Sequence, residues 1–250
     1  MASLTFLWRG GGGTGEIFNA KKLRKSLDVP ERKNGSFLNL AVKQQKLDTI
    51  RFLTGNDSRL IIKDRKGKPV HMVEVNKSGQ LGRTALLEAC TWGNEEAVRM
   101  ILGYKQGWEL PFDNAAGIGL EEVNMVLADR DKKTPLIVAV ENQHAEVVKL
   151  LTSNAARQHH PNVAMSLRCT SKDDASKFVD AVDHKGMAAL HYVCNLEFEN
   201  VEILTYLLKA QADVAVATPS GKSPLHLATQ KKLIQVTLCT VRRTFLPFSR

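Results

Sequence analysis

Thr134 to Leu151 reads TPLIVAVENQHAEVVKLL. Thr134 has the hydroxyl that caps a helix start, and Pro135 suits the first helical position, where its missing N–H costs nothing. Leu136, Ala139, Val147, Val148 and Leu151 follow as an apolar stripe at helical spacing. The stretch therefore predicts a turn containing Asp129, a short helix, a tight reversal and a second helix. The pattern recurs. GRTALLEACTWGNEEAVRMIL repeats it from Thr84, with Leu86, Ala89, Gly93, Glu96, Val98 and Leu102 at matching offsets. Further frames start at Ala188, in GMAALHYVCNLEFENVEILTYLLKAQADV, and at Ser223, in SGKSPLHLATQKKLIQV. A more degenerate frame runs from Ser36 to Leu53, SFLNLAVKQQKLDTIRFL.

Ser223, Pro224, Leu225, His226 and Ala228 stand nearly as in the T-P-L-H-x-A pattern of the ankyrin repeat, whose period is about 33 residues. On these motifs the chain resembles the ankyrin-repeat family. The resemblance implies an all-α solenoid of about five repeats over residues 36–240, preceded by a basic segment (1–35) and followed by a short basic tail (241–250). No single repeat buries its own stripe, so about three or more must stack before the array is stable. Small Ala89, Ala139 and Ala228 recur where neighbouring helices should approach closely.

The anchors at 36, 84, 134, 188 and 223 lie 48, 50, 54 and 35 residues apart, so the first three connections carry long insertions. Connections longer than about 12 to 15 residues are usually functional or disordered. In the first, RLIIKDRKGKPVHMVEV (Arg59 to Val75) predicts a β-hairpin finger with its turn at Asp64 to Lys68. In the second, Gly103 to Ala128, a glycine-rich turn (Asn114 to Gly119) precedes LEEVNMVLA, which reads as one or two helical turns. The third, Ser153 to Val182, is polar and gets no assignment. Two extra residues within NLEFEN (Asn195 to Asn200) should distort the fourth repeat locally.

Charge is segregated along the chain. Residues 1–70 hold 15 Lys and Arg against 6 Asp and Glu, residues 71–230 hold 15 against 20, and residues 231–250 add 5 basic and no acidic ones. Cys90, Cys169, Cys194 and Cys239 show no CxxC pairing or disulfide-like ladder, so they read as reduced thiols. No run approaches the roughly 20 apolar residues of a membrane span. MASLTFLW lacks the basic start and cleavage site of a signal peptide, and a cytoplasmic or nuclear location follows by elimination.

The loop RGGGGTGE (Arg9 to Glu16) fails as a phosphate-binding loop because Gly15 is followed by Glu16 instead of lysine. It reads as a linker. His159 and His160 lack Cys or carboxylate neighbours at metal-ligand spacing, and no Ser-His-Asp, Cys-His or paired-carboxylate grouping assembles. No catalytic residue, metal or cofactor is therefore expected. The resemblance makes His191 and His226 braces between neighbouring turns, a structural role. KKLRK (Lys21 to Lys25), with Lys63, Arg65, Lys66 and Lys68, could serve as a nuclear-localisation or polyanion patch. A solvated charged tail is favoured, because no aromatic residues are interleaved for base stacking.

The expected function is non-catalytic protein recognition through turn tips and a concave helix face, as the resemblance implies. By the same resemblance, the variable contact positions are Thr91 and Trp92, Glu141 and Asn142, Asn195 and Leu196, and Gln230 and Lys231, at the ends of the first helices. Arg83, Lys133, Met187 and Lys222 follow the turn glycine positions. Trp92 is an obvious anchor, since Trp and Arg are enriched at interface hot spots. It could instead pack beneath the second insertion, against Trp108 or Phe112. Departures from the family pattern are Lys132 in place of the turn glycine, Gly79 and Thr218 in place of the turn Asp, and a first repeat with neither Pro nor His. The end, KKLIQVTLCTVRRTFLPFSR, is apolar and basic where a terminal repeat needs a polar outer face, which raises the expectation of a fragment or an altered terminus. Two other functions stay open: a nucleic-acid or anionic-surface binder using the basic ends, and a regulatory piece of a larger enzyme or channel.

Overall fold

The computed structural model describes residues 36–54, 73–102, 123–153, 178–197 and 199–245. Among them, ten α-helices form five consecutive pairs. These are α1 (Phe37–Lys43) with α2 (Leu47–Leu53), α3 (Ala85–Trp92) with α4 (Glu95–Ile101), and α5 (Pro135–Glu141) with α6 (Ala145–Thr152). The last two pairs are α7 (Ala189–Cys194) with α8 (Val201–Lys209), and α9 (Pro224–Gln230) with α10 (Ile234–Phe245). Each first helix begins one residue after its anchor. The hydroxyls of Ser36, Thr84, Thr134 and Ser223 accept the N–H groups of Asn39, Leu87, Ile137 and His226, satisfying donors that a helix start leaves orphaned. Ala188 has no hydroxyl. There the imidazole of His191 reaches back, and its Nδ1 accepts the Ala188 N–H at 3.1 Å.

The helices stack in two layers. α1, α3, α5, α7 and α9 pack in sequence as one layer, and α2, α4, α6, α8 and α10 as the other. One continuous core lies between them, including Leu38, Leu86, Leu136 and Leu190 from the first layer and Ile50, Val98, Val148 and Leu204 from the second. Full burial of such a side chain stabilises by about 1.5–3 kcal/mol, which is what an isolated pair forfeits and a stack recovers. Ala89, Ala139 and Ala228 are fully buried, as close helix approach requires.

Between pairs the chain makes four equivalent turn tips. The N–H groups of Gly79, Asp129, Asp183 and Thr218 donate to the carbonyls of Arg83, Lys133, Met187 and Lys222. Asp129 and Asp183 brace their tips by accepting two further N–H groups each, and Thr218 Oγ1 accepts that of Lys222. Each tip has a positive-φ residue just before its closing residue, supplied by Gly82, Lys132, Gly186 and Gly221, and the first tip adds Leu81 at φ 65°. Lys132 holds φ 58° despite its side chain, a conformation that costs an ordinary residue roughly 1–2 kcal/mol. Adjacent tips also bond to each other. Arg130 N–H donates to the Leu81 carbonyl, and His184 N–H to that of Asp131, both at 3.1 Å.

The insertions depart from the sequence reading wherever they can be compared. The finger expected over Arg59 to Val75 lies outside the described residues apart from its last three. Of these, Val73 and Val75 are buried in the core in a bend and turn, not a strand. In LEEVNMVLA, residues 123–128 are not helical. Val123 and Met125 point inward at a spacing of two, and the Asn124 N–H between them donates to Asn76 Oδ1 of the preceding loop at 2.7 Å. Period-two burial has overridden helical propensity. Phe178 and Val179, in the unassigned third insertion, are buried.

The two extra residues in NLEFEN are absorbed in the reversal. α2, α4, α6 and α10 start 11 residues after their anchors and α8 starts 13 after its own, yet α8 still packs on α6 and α10.

His191 is fully buried, and burial lowers its pKa below the usual 6.5; Asp183 and the backbone of Lys222 and Val216 oppose that shift. Its Nε2 lacks hydrogen-bonding geometry to any partner. The unfolded chain therefore takes up a proton near pH 6.5 that the folded chain refuses until lower pH. Stability from this residue is complete above about pH 6.5 and is lost as pH falls towards the folded value. Denaturant midpoints should fall between pH 7.5 and 5.5, and fall less in His191→Gln. His226, the equivalent residue of the fifth repeat, is exposed, with its Nδ1 2.7 Å from Ser223 Oγ. On α10, Ile234 and Leu238 are 67% and 54% exposed while Val236, and Leu233 just before the helix, are buried.

Candidate recognition surface

The contact positions read from the sequence lie on the first-helix layer and its tips, and their side chains differ in how far they are already committed. In the second repeat, Thr91 Oγ1 donates to the Leu87 carbonyl at 2.9 Å. The Thr91 carbonyl itself lies 3.2 Å from His144 Nε2 of the third repeat, whose ring packs over Gly93. Trp92 is 52% exposed at the end of α3. Trp108 and Phe112, its suggested packing partners, lie outside the described residues. Arg83 Nε sits 3.8 Å from Asp129 Oδ2 but makes no hydrogen bond there. The Arg83 carbonyl accepts the Asn39 side-chain amide at 2.9 Å.

In the third repeat, Lys133 Nζ donates to both carboxylate oxygens of Glu141 at 2.6 Å. The ammonium also lies 5.5 Å from the centre of the Tyr192 ring, within cation–π range. Tyr192 in turn donates its hydroxyl to Asp183 Oδ2 at 2.7 Å. Burial alone would raise the Asp183 carboxyl, but the Tyr192 hydroxyl and the N–H groups of Met187 and Lys185 lower it below the usual carboxylate value. Burial first, and then Asp183, push the Tyr192 phenol well up, so it stays a neutral donor. Glu141, Lys133, Tyr192 and Asp183 thus form one polar chain from α5 to the third tip. Asn142 spends one amide hydrogen on the Val138 carbonyl.

In the fourth and fifth repeats the structure gathers Met187, Asn195, Lys222, Gln230 and Lys231 around one open groove of about 350 Å³. Lys185, Thr218, Ser220 and Leu227 complete its lining. Leu196, half-buried, does not line it. Sequence reasoning missed Tyr192 and these four additional lining residues. Lys185 and Ser220 each lie three residues before a repeat anchor, at the tip apex, and that shared offset was the available signal.

Cys90 and Cys194 are buried free thiols on α3 and α7. Burial raises both, Cys194 to about 12 and Cys90 further, so neither is a nucleophile at neutral pH. Cys169 lies outside the described residues. Among the described residues there is no cluster of three or more His, Cys, Asp or Glu that could hold a metal ion, and no helix long and apolar enough to cross a membrane. His159, His160, Lys21 to Lys25 and RGGGGTGE also lie outside them.

Stacked helix pairs and hydrogen-bonded tips define a helical-repeat solenoid. A family model described as ankyrin repeats, in three copies, matches residues 38–164, and a single ankyrin-repeat model matches residues 185–219. The chain belongs to the ankyrin-repeat family. Rabankyrin-5 of Mus musculus is 29% identical over 171 residues, covering 60% of this chain and 12% of that protein. Transient receptor potential cation channel subfamily A member 1 of Homo sapiens is 26% identical over 199 residues, covering 63% and 17%. An ankyrin repeat protein of fowlpox virus (strain NVSL) is 24% identical over 238 residues, covering 82% and 41%. The chain spans less than half the length of each of these relatives. Ankyrin repeats generally mediate protein–protein interaction, and the family is typically non-catalytic.

Proposed function

We propose that this chain is a protein-recognition module that binds its partner through the turn tips and the concave face formed by the first-helix layer, with Trp92 as an anchor. The observation that carries the reading is Trp92 itself. A tryptophan more than half exposed on a row of variable positions offers a partner a large apolar surface at little ordering cost. The bonded tips support it, because a surface already fixed by backbone hydrogen bonds loses little entropy on binding. The buried free thiols Cys90 and Cys194 suit a reducing compartment, so the proposed setting is cytosol or nucleus.

Affinity capture from nuclease-treated lysate at moderate salt tests the reading, comparing the parent with Trp92→Ala once circular dichroism shows both equally folded. The expected result is a discrete protein retained by the parent and reduced about tenfold or more by the substitution, the scale of a hot-spot truncation. Identical profiles from the two, or recovery of salt-sensitive polyanion alone, would remove Trp92 from the site and favour the basic ends.

A further inference from the structure

The cations of the first-layer face are treated differently in its two halves. At the residue before the first-helix cap, Arg83 faces Asp129 and Lys133 is clamped by Glu141, so both of these cations are compensated within the second and third repeats. In the groove between the fourth and fifth repeats, Lys185, Lys222 and Lys231 are all exposed, and among the described residues none has an ion-pair partner. No acidic residue lines this groove. Its apolar contribution comes from Met187 of the third tip and Leu227 of α9, with Asn195 and Gln230 offering amides beside them.

We infer that this groove receives an acidic peptide segment of the partner, extended in conformation, with one apolar side chain set on Met187 and Leu227 and carboxylates on either side reaching Lys185, Lys222 and Lys231. The inference rests on the recognition reading above and gives its partner a chemistry. Three uncompensated cations around one concavity attract negative charge and repel basic segments, so the same charges that speed encounter also select against the wrong partner. A nucleic acid fits less well. The lining includes no aromatic ring on which a base could stack, and its apolar floor offers nothing to a phosphate backbone.

Fluorescence anisotropy on the full chain tests this, with a labelled Glu-Glu-Asp-Leu-Asp-Glu-Glu peptide as probe. Comparison probes are the same peptide with glycine at the centre and a Gln/Asn version lacking the charge. The acidic leucine peptide should bind, and each comparison probe should bind about tenfold or more weakly. Lys222→Gln combined with Lys231→Gln should weaken the acidic probe by a similar factor, whereas Lys149→Gln on α6 should leave it unchanged. Circular dichroism of each variant separates lost binding from lost folding. Failure of the acidic probe to bind better than the uncharged one, equal binding by the double variant, or full displacement by oligothymidylate with no dependence on the central leucine would overturn the inference. Each of these outcomes leaves the Trp92→Ala capture experiment intact, so the groove can fail while the recognition face stands.

Discussion

Leu190→Ala should lower the stability of the array by about 2–5 kcal/mol, the cost of deleting most of a buried leucine and leaving a cavity behind. Leu190 is 1% exposed on α7, which packs against both α5 and α9, so its side chain belongs to the shared core and not to one repeat alone. Against a total of about 5–15 kcal/mol for an ordinary domain, the loss is large. In a solenoid it should also be felt by neighbours, because each repeat is stabilised mainly through its two interfaces. Urea denaturation is the measurement. The midpoint should drop sharply, and hydrogen exchange should speed up in α7 and α9 before it does in α1 and α3. Uniform exchange across all five pairs would mean that the array unfolds as one unit, against the nearest-neighbour picture.

Gly186→Ala should cost about 2–5 kcal/mol, from two separate sources. Gly186 holds φ at +71°, where a side chain costs roughly 1–2 kcal/mol. A Cβ there would also overlap the ring of Pro219, which packs directly over the glycine from the next tip, and forcing atoms into a filled space typically costs about 1–3 kcal/mol. The two parts can be separated. Adding Pro219→Ala should recover the steric part and leave the backbone part, whereas full recovery, or none, in thermal denaturation would contradict this division. Because Met187 adjoins Gly186 and Thr218 adjoins Pro219, the substitution should also displace the groove between the fourth and fifth repeats.

The repeat frames were legible because four of the five combine a capping residue with small and large apolar residues at fixed offsets. Thr84 with Ala89 and Thr134 with Ala139 suffice to place four helices. Ala188 shows how a frame survives a lost cap: the His191 N–H that a hydroxyl would accept bonds to the Ala188 carbonyl instead, and His191 Nδ1 still accepts the Ala188 N–H. LEEVNMVLA was misread for a physical reason. Its residues favour a helix locally, but Val123 and Met125 are drawn into the core on either side of a bond to Asn76, and tertiary burial outweighs propensity.

The surface was less legible than the frames. Lys133 and Glu141 are eight residues apart and meet only because a tip folds back beside its helix, a pairing that helical spacing rules do not reveal. Tyr192 connects two repeats through its ring and hydroxyl, and nothing in its own frame announces that role. The groove itself exists only where the third and fourth tips stack. Its residues come from positions 185 to 231, and its shared charge emerges only when Lys185, Lys222 and Lys231 are brought together in space.

The proposed function requires the first-helix layer to be the face that meets the partner. Site-specific photo-crosslinking tests it most directly, with benzoylphenylalanine placed either at Trp92, at the end of α3, or at Lys149, exposed on α6 of the opposite layer. Crosslinks to the captured partner from position 92 and none from position 149 are the predicted result. Crosslinks from position 149 and none from position 92 would put the partner on the second-helix layer instead.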